Sequence, residues 1–155
     1  MNYSFALAVG IGIIAGLRSL TAPAAVAWAA HLGALNLHGS PFVFMGSTTA
    51  VAIFSLLAIG ELVTDKLPRT PRRTALAPLL ARIIMGGLCG ACLCVAAGKS
   101  LAAGALLGGA GGLIGAFAGY QIRKRLVNNL HIKDILVAIC EDLVAIALAR
   151  FFVWR

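Results

Sequence analysis

The sequence predicts an all-α protein, a polytopic transmembrane helix bundle of about five spans making one domain over residues 1–155. Three observations lead there. Hydrophobic residues make up 61% of the chain and charged residues only 12%, with mean hydropathy +0.97, too little polar surface to cover a soluble globule. The apolar residues gather in runs that meet or approach the ~20 residues a bilayer crossing needs. The basic residues fall in two short clusters between those runs, 66–73 and 123–133, as expected of loops held on the cytoplasmic side. The net charge of +8 is thereby explained by topology, with the lipid bilayer and no nucleic acid as partner.

The first run, 3–32, is long for one straight span. It has no Lys or Arg before its apolar stretch, so it lacks the basic start of a cleaved signal peptide and is expected to stay as a membrane helix. Arg18 stands near its middle and Pro23 follows, so the helix should be kinked or broken near Arg18–Pro23, with the hydroxyls of Ser19 and Thr21 available to freed backbone groups. A long tilted helix whose arginine meets an acid on a neighbour is the alternative. The connection 33–46 carries His38 but no Lys or Arg and is expected to face away from the cytoplasm.

The second span, 47–63, carries Glu61, leads into Asp65 and is closed by the collar of Lys66, Arg69, Arg72 and Arg73, where Pro68 and Pro71 stop the helix. The third, 77–97, carries Arg82 roughly two turns in, and the turn Gly98-Lys99-Ser100 separates it from the fourth, 101–122. In the fourth, Gly104, Gly108 and Gly112 recur at every fourth residue, as do Gly111, Gly115 and Gly119; Gly12, Gly16, Gly86 and Gly90 offer matching surfaces. Such rows let backbones approach closely, and they suggest a homo-oligomer, a dimer through the glycine-rich helices. The basic stretch 123–133 leads to the fifth span, 132–154, which holds Glu141 and Asp142 and ends with Trp154 at the opposite interface. Five spans would put the N-terminus inside and the C-terminus outside. An even number follows instead if the first run is a re-entrant hairpin.

An inverted repeat is a candidate organisation. LLAIGE at 56–61 matches LVAICE at 136–141 in four of six positions, and Gly12-xxx-Gly16 before Arg18 loosely echoes Gly115-xxx-Gly119 before Arg123. Copies offset by three spans would sit in opposite orientations.

Charge inside a membrane is costly and marks functional-site candidates. Counting ~1.5 Å per residue from the basic loops, Glu61, Arg82, Glu141 and Asp142 lie about one third of the way in, with Arg18 near the midplane. Two explanations fit. Arg18, Ser19, Thr21, Glu61, Asp65, Arg82, Glu141 and Asp142 line a substrate or ion pathway, making a small transporter or channel for a polar or ionic solute or a lipid head group. Alternatively, the charges form fixed interhelical ion pairs in a structural or accessory membrane subunit. A wet cavity reaching Arg18 favours the first; a dry, paired cluster favours the second.

Enzymatic activity is not expected. His31, His38 and His131 lie in loops or at helix ends away from the acids, so no Ser/His/Asp, Cys/His or metal constellation forms and no cofactor is called for. Cys89, Cys92, Cys94 and Cys140 all lie in apolar runs; the Cys89-x-x-Cys92 pair has no ligand-type neighbour and reads as packing.

The segments GLRSLTAPAAVAWAA (16–30) and GELVTDKLPRTPRRT (60–74), with the late Glu141-Asp142 pair, resemble hallmark segments of a bacterial family of small multi-pass membrane proteins classed as a domain of unknown function. The resemblance covers nearly the whole chain. It implies an α-helical, multi-pass protein of the cell inner membrane, and it supplies no activity and no site residue.

Overall fold

A computed structural model describes residues 3–65, 75–130 and 134–154. Within them the chain is all-α, with six helices: α1 (Tyr3–Leu17), α2 (Thr21–His31), α3 (Thr48–Thr64), α4 (Leu76–Ala96), α5 (Leu101–Leu130) and α6 (Asp134–Val153), plus a short 3-10 helix at Val43–Gly46. The collar residues Lys66, Arg69, Arg72 and Arg73, and also His131 and Lys133, lie outside the described residues.

Local chemistry sets the helix ends. Ser47 caps α3, its hydroxyl accepting from the Ala50 N–H at 3.1 Å. After α4 the chain turns through Gly98 at φ +65°, where a side chain would be strained. The Gly98 and Lys99 amides return to Val95 and Cys94, satisfying the last carbonyls of the helix.

The break expected near Arg18–Pro23 falls at Arg18–Leu20, between α1 and α2. Pro23 sits in the first turn of α2, where its missing N–H leaves nothing unpaired; its ring, however, prevents the helix from continuing backwards through Ser19. The break is a reversal rather than a kink. Glu61 meets Ser19 and Leu20 at one end of α2, and Ser55 meets Trp28 further along, so α2 runs antiparallel to α3. Residues of α2 and of the following connection, among them Val26, Ala29 and Met45, are buried with Leu93, Ala149 and Val153 near the far ends of α4 and α6. The first run is thus a hairpin, the alternative to a single long first span.

Gly12 faces Gly108 and Gly16 faces Gly112, so α1 and α5 run parallel. Arg82 meets Gly16, and Cys94 meets Ser4, so α4 runs against α1. Asp142 meets Arg18 and Phe152 packs beside Gly10, so α6 runs against α1 too. The six helices alternate in direction, and Tyr3 and Val153 lie at the same end of the bundle. The alternation follows from the break in the first run, which makes two helices of one expected run. It also limits the repeat: α3 and α6 are oppositely oriented as an inverted repeat requires, whereas α1 and α5 are not.

The glycine rows are consumed inside the chain. A Cβ on Gly86 would lie 2.6 Å from the Gly108 carbonyl oxygen, and one on Gly112 would lie 2.7 Å from that of Arg82. Backbone contact at this range brings α1, α4 and α5 into the closest packing of the bundle. A further difference concerns α5, which continues to Leu130 with no Gly or Pro to stop it after Gly119, so Arg123, Lys124 and Arg125 are helical rather than part of a loop.

A few polar side chains lie within an apolar core, while large apolar side chains cover much of the outside. Arg18, Ser19, Thr21, Arg82 and Asp142 are buried, while Leu106 (76% exposed), Leu56 (69%) and many other large apolar side chains point outward. Two helices, α4 and α5, are long and apolar enough to cross a membrane. α1 and α3 are apolar but shorter, at 15 and 17 residues.

Candidate functional site

The site is built around the α1–α2 reversal. Breaking a helix exposes carbonyls at one end and amides at the other, each end carrying about half an elementary charge. Here both ends are met by side chains of matching sign. At the start of α2, the Glu61 carboxylate accepts from the Ser19 amide (2.8 Å) and hydroxyl (2.6 Å) through Oε1, and from the Leu20 amide (2.8 Å) through Oε2. At the end of α1, Arg82 donates through Nε to the Gly16 carbonyl at 3.0 Å, and another of its nitrogens donates to the Pro78 carbonyl at 3.1 Å. Glu61 sits at the amide end and Arg82 at the carbonyl end, each the stabilising choice.

Arg18 occupies the reversal itself and is fully buried, at 0% exposure. One terminal nitrogen of its guanidinium pairs with Asp65 at the end of α3, and the other pairs with Asp142 on α6. A planar guanidinium with several fixed donors suits this bridging role; a lysine ammonium would present a single point charge. The outcome is a polar knot in which α1, α2, α3 and α6 share one arginine–carboxylate bridge and one carboxylate cap, with α4 attached through Arg82.

Six of the eight expected residues come together here: Arg18, Ser19, Glu61, Asp65, Arg82 and Asp142. Thr21 lies in the same turn, buried, and its hydroxyl has no hydrogen-bond partner among the described residues; the Arg18 Nε is in the same condition. Arg18 is level with the carboxylates of Asp65 and Asp142, because the chain reverses at this residue instead of running on.

Glu141 stands apart. Adjacent helical residues point about 100° from each other, so Glu141 and Asp142 cannot share a face. Asp142 turns inward to Arg18, while Glu141 lines a groove of about 310 Å³ between the end of α1 and the facing parts of α5 and α6. Arg123 lines it as well, a residue whose expected place in a loop hid it from the sequence reading. The helical spacing of Gly119, Ile122, Arg123 and Leu126 was the available signal. Among the described residues no group of His, Cys, Asp and Glu is placed to hold a metal ion.

The family model described as Domain of unknown function (DUF4126) matches residues 5–153. No curated protein and no solved structure matches the chain.

Proposed function

The chain belongs to the DUF4126 family of domains of unknown function, and we propose that it is an integral membrane protein in which buried ion pairs clamp a re-entrant hairpin, acting as a structural or accessory membrane subunit. The observation that carries this reading is Arg18, wholly buried and paired with acids from two other helices. A guanidinium placed to receive a solute needs a path from water, and Arg18 is wholly shielded, at 0% exposure. The helices cross the cell inner membrane with the collar 66–73 and the basic end of α5 in the cytoplasm, so both chain ends face outside.

Charge replacement tests the clamp. Arg18→Met alone leaves two acids without their shared partner and should cost about 3–5 kcal/mol of stability; adding Asp65→Leu and Asp142→Leu should restore most of it. If Arg18→Met unfolds within about 0.5 kcal/mol of the parent, the buried pairs do not hold the hairpin.

A transporter for a polar or ionic solute is the second reading. The unpartnered Thr21 hydroxyl and Arg18 Nε favour it, because broken membrane helices with unsatisfied polar groups form the solute sites of many transporters.

A further inference from the structure

We propose that α3 is a hinged arm, anchored by apolar packing at its start and latched at its end by Glu61 and Asp65, which swings from the bundle into the bilayer when the latch is undone. The inference rests on the membrane placement and the clamp proposed above. Along α3 the buried residues are Ala50 and Val51, both in its first turn, and Phe54 packs against the core just beyond them. After Val51 no residue of the helix is buried. Its main neighbours are α2 and the 3-10 helix at Val43–Gly46. Midway, a hydrogen bond joins it to α2, from Trp28 Nε1 to the Ser55 hydroxyl at 3.0 Å. Leu56, Ile59 and Val63 are more than half exposed, so a move toward acyl chains takes little apolar surface out of the core.

Charge holds the far end instead. Glu61 accepts from the Ser19 and Leu20 amides and the Ser19 hydroxyl, and Asp65 pairs with Arg18. α6 provides the contrast. It supplies the other acid to Arg18, Asp142, yet Val137 and Ala138 are buried before that residue and Ala145, Ala149 and Val153 after it. Without its acid α6 stays packed on both sides of the gap, whereas α3 without its two acids has no buried anchor in its second half. From Phe54 to Thr64 the helix is a lever of about 15 Å, so a swing of about 20° moves its end by about 5 Å. That swing withdraws both carboxylates from the reversal, leaving Arg18 to Asp142 alone and the Ser19 and Leu20 amides without their acceptor.

Double electron–electron resonance on the full chain in lipid nanodiscs tests this, in a chain whose four native cysteines are Ala. Spin labels at Thr64→Cys and Lys124→Cys report on the latched end, and labels at Ala52→Cys and Ala102→Cys report on the hinge. Glu61→Gln combined with Asp65→Asn should lengthen the Thr64–Lys124 distance by about 5 Å and leave the Ala52–Ala102 distance within about 2 Å of the parent. Asp142→Asn makes the same charge change on the packed helix and should leave both distances as they are. If the double variant does not fold, Asp65→Asn alone decides, and should give a second, longer Thr64–Lys124 distance beside the parent one. A single unshifted distance in the folded variants overturns the arm. Where their thermal midpoint has fallen, the clamp stands without it; where the midpoint is unchanged, the clamp falls as well. Equal shifts at both label pairs, or the Thr64 shift appearing in Asp142→Asn, would also overturn the arm, because the whole bundle would then be loosening.

Discussion

Glu61 offers the most direct energetic test of how the hairpin is held. Its carboxylate accepts three hydrogen bonds from two residues of the reversal, at 2.6–2.8 Å. In Glu61→Gln the side chain keeps its length, and its one remaining oxygen still serves Ser19. The new NH2 group then faces the Leu20 amide, donor against donor, and the negative charge at the start of α2 is lost. One charge-assisted hydrogen bond is worth about 1.5–3 kcal/mol and the helix-end charge about 0.3–1 kcal/mol, so the expected loss is about 2–4 kcal/mol. That is a large part of the 5–15 kcal/mol typical of folded domains. Equilibrium unfolding of purified protein in mixed micelles reads the loss, and hydrogen exchange at Ser19 and Leu20 localises it. Glu61→Asp, one methylene short of both amides, should fail similarly although it keeps the charge. If Glu61→Gln unfolds within 0.5 kcal/mol of the parent and both amides keep their protection, the cap does not hold the hairpin.

Other consequences follow from the same geometry. Arg82→Met keeps the apolar stem but removes the donors to Gly16 and Pro78, and should cost about 1.5–3 kcal/mol in the same unfolding assay. Gly112→Ala puts a methyl group against the Arg82 carbonyl, and should weaken the α4–α5 contact and lower the thermal midpoint; Gly60→Ala, with open space at its Cβ, should not. Because the six helices alternate, reporter fusions at the two chain ends should give the same sidedness, opposite to a reporter placed between α3 and α4. Opposite sidedness for the two ends would rule out the hairpin.

The sequence made much of this legible. Helix positions were readable because long apolar runs end at Pro, Gly and charge clusters, and α4 begins and ends within a residue of the span read for it. The break was readable because Arg18 and Pro23 interrupt an apolar run. Its sharpness was not, since a kink and a reversal have the same local signal and differ only in whether Glu61 and Asp65 reach back to the turn. Most of the site was legible for a simple reason: charges are so unfavourable in an apolar layer that the few present are driven to meet. Depth along the sequence does not give helical phase, which is what turns Glu141 away from Arg18, and Arg123 is helical because α5 runs eight residues past Ile122 to Leu130. The glycine rows told correctly that backbones touch, but a row cannot say whether its partner lies in the same chain. Here Gly12, Gly16, Gly86 and Gly90 supplied partners close at hand.

The central claim is that the charged reversal is dry and clamped. Thr21 is the position to probe, because it is buried beside Arg18 and its hydroxyl gives up no hydrogen bond when replaced by a thiol of similar size. Thr21→Cys, in a chain whose four native cysteines are Ala, would be exposed in intact membranes to an impermeant maleimide from each side in turn, with Lys124→Cys as the accessible reference. The clamp predicts no labelling of Thr21→Cys from either side until the protein is denatured. Labelling of the native protein at a rate near that of Lys124→Cys would show water at Arg18, contradict the clamp, and move solute transport to the first place.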